Sequence, residues 1–212
     1  MSQYSWTYRP NQAGTSRGRS ALAEPGVHQG PVHIEVSAFT VRSLTAQDAN
    51  ERFAQWLGGE EMRDGLNLPV MEFDTTRLSA FITSFDQIEH HFIGIFDRIS
   101  GLLIGFYTLD VNQTHRVACM TAGIGEPKYR GQRVFWQTID ALLDHFFVFR
   151  NVEKIVARVL ARNRSMLFNF IDNPRFGYEA RLLRECRSLD GSRLDVLLFA
   201  AFAERDKCES RK

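Results

Sequence analysis

The chain has 212 residues, 44% of them hydrophobic and 24% charged, with a formal net charge of +1. That length supports one domain with a sizeable core, and the near-neutral charge argues against nucleic acid or an anionic membrane as the main partner. The longest apolar runs are strand-length, well short of the roughly 20 residues a membrane span needs, and the N-terminus has no apolar signal core. Cys119, Cys186 and Cys208 are widely spaced and form no CxxC pair, which fits reduced thiols in a cytoplasmic protein. The six histidines show no HxxxH or HExxH spacing, so no metal is expected.

Residues 1–37 carry much Gly, Pro, Ser and Gln without apolar periodicity and read as a flexible extension. Tyr4, Trp6 and Tyr8 alternate within it, which fits a strand or a docking arm as well as a disordered tail. From Ala38 the pattern changes. Phe39 to Leu44 alternates as a strand, and Thr45 with Asp48 forms a helix-starting pair for a helix over about 46–57 that Gly58-Gly59 stops. Glu60 to Asn67 is a short helix or loop ended by Pro69, and Thr75 to Phe85 is a further helix. His91–Phe96 and Leu102–Val111 pair around the turn at 97–101, and a third strand runs from Arg116 toward Glu126. A helix is predicted over Val134–Phe149, with Phe135, Ile139, Leu142, Leu143 and Phe146 inward. Val152–Leu160 is a strand, Asn163 and Ser165 open a short helix through Phe170, and Tyr178–Arg187 and Arg193–Phe202 form a hairpin around Asp190-Gly191. Residues 204–212 are a charged tail.

The most informative stretch joins the third strand to the long helix: Ala122-Gly-Ile-Gly125, then Glu126-Pro-Lys-Tyr-Arg-Gly131, Gln132, Arg133 and Val134. A strand that feeds a helix through a short basic loop aims several backbone N–H groups at one point, where the helix dipole adds positive potential. Such a point suits a pyrophosphate. Gly within the strand end marks a bulge or the close approach of another backbone.

This loop resembles the pyrophosphate loop of the GNAT superfamily of acyl-CoA-dependent N-acetyltransferases, which reads Gln/Arg-x-x-Gly-x-Gly/Ala. Lys128 takes the first position and Gly131 the second, while Arg133 stands where the family has Gly or Ala. The element order over residues 38–203 is also that of the family. The resemblance implies an α/β (α+β type) GNAT fold, with a mixed, mostly antiparallel sheet of six to seven strands flanked by helices. Phe176-Gly-Tyr-Glu and the closing strands resemble the branch containing the ribosomal-protein N-terminal acetyltransferases.

What the resemblance implies about function is direct transfer of an acetyl group from acetyl-CoA, the co-substrate, to a primary amine. Acceptor and enzyme would meet without a covalent enzyme intermediate. Ile124 and Gly125 would polarise the thioester, and Lys128, Tyr129, Arg130, Gly131, Gln132, Arg133 and Val134 would hold the diphosphate. Asn163 would contact the cofactor arm, and Phe170 stands where the family usually has a Tyr that protonates the departing thiolate. Tyr178 is then the candidate acid, and Glu126, at the strand end, the candidate base. Each has a plainer alternative: a solvated basic turn for the loop, a helix cap for Asn163, an exposed loop carboxylate for Glu126. Asp110 and His115 fall at the far end of the hairpin strands and are left out of the site. The acceptor, a small molecule or a peptide N-terminus, would meet the segment 58–85. The alternative function is a catalytically weakened GNAT-like domain that binds an acyl-CoA or a protein partner. Monomer and homodimer both fit.

Overall fold

The computed structural model describes residues 29–69 and 74–203. The aromatic arm around Tyr4, the charged tail, Cys208, Met71 and Phe73 therefore lie outside the described residues. Eight strands form one sheet in the order β1-β2-β3-β4-β5-β6-β8-β7. In sequence these are β1 His33–Val36, β2 Phe39–Ser43, β3 His90–Asp97, β4 Leu103–Asn112, β5 Val117–Ile124, β6 Lys154–Leu160, β7 Gly177–Arg187 and β8 Arg193–Phe202. Every neighbouring pair is antiparallel except β5 with β6. The count exceeds the expected six to seven because His33-Ile-Glu-Val36 forms an edge strand inside the stretch read as flexible. Four residues are too few for alternation to stand out, and their pairing with β2 is what orders them.

Helices cover both faces. α1 (Glu51–Gly58), α2 (Glu60–Leu66) and α3 (Thr75–Thr83) lie on one, α4 (Val134–Phe149) and α5 (Arg164–Ile171) on the other. The expected single helix from Ala46 is split. Asp48 accepts from the Thr45 backbone at 2.8 Å and closes a short 3₁₀ turn, and Asn50 then caps α1 by accepting from the Phe53 N–H at 2.9 Å. Strand alternation sorts the apolar residues into two cores. One joins Ile104, Tyr107, Leu109, Met120, Ile155 and Ala157 to Ile139, Leu142, Leu143 and Phe146 of α4. The other joins Phe92, Phe96 and Phe106 to Phe53, Trp56, Leu78 and Ile82 of α1 and α3. Among the described residues no helix is long and apolar enough to cross a membrane.

The far end of α4 ties the first strand to the rest. Buried Arg150 donates to the Gly30 carbonyl at 2.6 Å and to His145 Nε2 at 3.3 Å. Nearby His91 is fully buried, edge-on to Phe146 at 5.0 Å, with Nε2 3.2 Å from the Ile88 carbonyl and Nδ1 unpartnered. Burial, helped by the Arg150 charge, pushes the His91 pKa down to about 4. Unfolded, the ring titrates near its ordinary value of 6.5, so between these values the unfolded chain binds the extra proton. The contribution is therefore fully present above about pH 7 and lost as pH falls toward 4. Urea midpoints of wild type and His91→Phe measured at pH 7 and pH 4.5 should show the wild type losing more stability on acidification; equal losses would remove His91 from the account.

Candidate active site

β5 and β6 are paired only from Val117↔Lys154 to Met120↔Ala157. Beyond that register β5 continues to Ile124 against β4 alone, and β6 to Leu160 against β8 alone. The two parallel strands thus part in mid-sheet. The Gly125 N–H donates to the Ile104 carbonyl at 3.0 Å, on the β4 side. By the two-residue alternation of an antiparallel ladder, the amides of Ala122 and Ile124 point the other way, into the gap. An open gap of this kind leaves strand edges that a substrate arm can satisfy.

A cavity of about 500 Å³ occupies the gap. Met120, Ala122, Ala157, Val159, Met166 and Phe170 supply apolar walls, and Asp110, Cys119, Thr121, Arg158, Asn163 and Cys186 supply polar ones. The segment expected to meet the acceptor contributes Gly65, Leu66, Asn67 and Pro69. The edge hairpin folds over to reach it. Arg184 is left-handed (φ 55°) where the β7–β8 register shifts, and the Asn67 amide donates to the Arg187 carbonyl at 3.0 Å.

At the end of β5 the chain turns through Pro127–Tyr129 as a 3₁₀ segment and enters α4. Gly131 (φ 72°) and Arg133 (φ 56°) are both left-handed. Glycine holds this conformation without a Cβ clash, and Arg133 carries it without that ease. The first α4 bond runs from the Gln137 N–H to the Arg133 carbonyl at 3.1 Å, and no side chain caps the helix. The amides of Val134, Phe135 and Trp136 thus precede the first helical bond.

The other site residues are distributed less simply. Arg130 does not add its charge to the loop's outer surface. It turns back, donating to the Ile124 carbonyl at 3.3 Å and the Gly125 carbonyl at 2.9 Å, and pairs with Glu61 of α2. Glu126, the candidate base at the strand end or else an exposed loop carboxylate, is 5% exposed, pairs with Arg52 of α1 and does not line the cavity. Lys128 and Gln132 are exposed, the Gln132 amide closing the turn on the Lys128 carbonyl at 2.5 Å, and the Tyr129 hydroxyl meets Asp97. Asn163 is the α5 cap, accepting from the Met166 N–H at 3.1 Å, and its amide also donates to the Gly65 carbonyl at 2.9 Å while facing the cavity. Phe170 is buried among Phe135, Phe176 and Phe199. Tyr178 is not brought to the cavity. It is exposed on the outer strand β7, with β8 between it and β6.

Asp110, Cys119, Arg158 and Cys186 were missed, and Asp110 had been set aside. In β4, Phe106, Thr108 and Asp110 share one face, and polarity rises along it from the gap into the paired region just beneath; that alternation was the available signal.

A mixed sheet with one parallel pair that parts, followed by an uncapped loop-to-helix junction, is an arrangement shared with solved acetyltransferase structures. Known structures narrow this to the GNAT fold. The ribosomal L7/L12 alpha-N-protein acetyltransferase in complex with coenzyme A superposes with a TM-score of 0.72 at 15% identity, over 82% of this chain and 100% of that one. The spermidine N-acetyltransferase from Vibrio cholerae in complex with CoA and spermine gives 0.69 at 20% identity, over 78% and 96%. A GNAT-family acetyltransferase from Bacillus anthracis gives 0.67 at 14%, over 82% and 100%. No protein-family model and no curated relative matches the sequence.

The Trp56 indole lies directly over Gly125, where a Cβ would collide with the ring. Gly125→Ala is expected to cost about 1–3 kcal/mol in urea unfolding. Trp56→Ala in the same chain should cost less than the sum of the two single changes. Strict additivity would show that the contact does not constrain Gly125.

Proposed function

We propose that this chain is an acyl-CoA-dependent N-acetyltransferase that moves an acetyl group from acetyl-CoA directly to a primary amine. The observation that carries the reading is the parting of β5 and β6 after Met120 and Ala157, with the cavity that fills the gap. The pantetheine arm would lie along the free edge of β5, taking the place of a strand, with the Ala122 and Ile124 amides beside the thioester oxygen. The diphosphate would rest on the amides leading into α4, with Lys128 and Arg133 supplying charge. Phe170 would give the arm an apolar wall rather than a proton. Holding amine and thioester together in one slot supplies much of the acceleration such a reaction needs. The acceptor would enter between α2 and the β7–β8 hairpin.

Calorimetric titration with acetyl-CoA should show one molecule bound per chain with a micromolar Kd; no binding heat at about millimolar ligand, the range of a few kcal/mol, would overturn the reading. Arg133→Gly should raise stability by about 1 kcal/mol, because glycine holds the left-handed conformation without the Cβ clash, and should leave acetyl-CoA bound. A lower melting temperature for Arg133→Gly would mean that the arginine side chain itself holds the loop.

A further inference from the structure

Beneath the gap, one row of side chains crosses the sheet in register: His90 on β3 opposite Asp110 on β4, and Asp110 opposite Cys119 on β5. Cys119 in turn pairs with Val156 of β6, one residue before the last pair ahead of the gap. Directly opposed residues on one face hold their Cβ atoms about 5 Å apart, so the Asp110 carboxylate sits close to the vertex where the strands part. Among the described residues it is the only carboxylate lining the cavity. Glu126 is held by Arg52 elsewhere, and Tyr178 is on the outer strand. His90 Nδ1 lies 2.8 Å from Asp110 Oδ1, and no other hydrogen bond to the carboxylate is formed among the described residues. One oxygen is thereby fixed while Oδ2 stays open to a ligand.

Resting on the acetyltransferase reading, we propose that Asp110 is the proton acceptor of the reaction and that His90 is the residue that positions it. The neutral amine attacks the thioester carbon, forming the C–N bond and placing a positive charge on nitrogen and a negative charge on oxygen. Asp110 Oδ2 takes one proton from that nitrogen. The tetrahedral centre collapses, the C–S bond breaks, and the thiolate leaves with the bonding pair. The same carboxyl then hands its proton to the thiolate sulfur, which restores the carboxylate and yields amide and free thiol. One group thus covers both proton transfers, which suits a slot whose Phe170 wall has no proton to donate.

The surroundings favour protonation of His90. Burial works against protonation of His90, but its hydrogen bond to Asp110 and the charges of Asp110, Asp86 and Glu89 outweigh it and raise its pKa. Cys119, next in the row, has its thiol pKa pushed up chiefly by burial, with the Arg158 charge opposing and the Asp110 charge adding to the shift. It stays a neutral neighbour rather than a competing nucleophile.

The test uses the full chain, acetyl-CoA and a panel of primary amines: peptides with free Ala or Ser N-termini, and spermidine. Asp110→Asn should bind acetyl-CoA calorimetrically as the wild type does, keep its melting temperature within a few degrees, and lose about 100-fold or more in kcat with little change in KM. His90→Ala should lose part of that rate, His90→Asn, which keeps a nearby N–H donor, should recover most of it, and His90→Ala should add little on top of Asp110→Asn. An Asp110→Asn enzyme with near-wild-type kcat, or a wild type that binds acetyl-CoA yet acetylates no amine of the panel, overturns the inference and leaves the binding site standing. A wild type that binds no acetyl-CoA overturns the reading beneath it.

Discussion

Everything distinctive in this molecule follows from the failure of two parallel strands to stay paired. β5 is held to β4 along its whole length, and β6 is held to β8 along its whole length, but the two share only four register pairs. Each half of the sheet is complete, so the divergence leaves the ladders on either side intact. It leaves β5 beyond Met120 and β6 beyond Ala157 without a neighbouring strand on their facing edges. Here those edges face a cavity instead of packed side chains.

The elements around the gap are fastened to keep it open. Arg130 reaches from the loop to Glu61 of α2, and Arg52 of α1 reaches Glu126 just past the end of β5. Trp56 leans on Gly125 from the same side. Asn163 joins the start of α5 to α2 through the Gly65 carbonyl. These ties use residues that a motif reading would assign to the ligand. The basic loop is therefore partly a structural clasp: the Tyr129, Arg130 and Gln132 amides bond within it, and the amides that precede the first helical bond are those of Val134, Phe135 and Trp136.

Much of this was legible beforehand, and what was not has physical reasons. The α4 bounds, Val134–Phe149, followed from a clean helical period, and the strand-loop-helix junction from Gly and Pro chemistry. Strand pairing was readable because short turns separate β3, β4 and β5. β1 was too short to show alternation. Arg130 and Glu126 were misplaced because composition announces a charge but not its partner; the partners, Glu61 and Arg52, lie 69 and 74 residues away in sequence. Tyr178 lies away from the cavity because nearness along the chain says nothing about the order of strands, and β8 inserts between β6 and β7. Asp110 shows the converse: it is remote from the loop in sequence and lines the cavity in space.

The Arg150–Gly30 contact has a consequence for the outer shape of the protein. α4 has 16 residues, about 24 Å of helix, with the basic loop at its start and Arg150 just past its end. Gly30 is held beside that arginine, so the lead into β1 and the loop are kept a full helix length apart. A label placed beside Gly30 would therefore sit at the end of α4 remote from the strand gap.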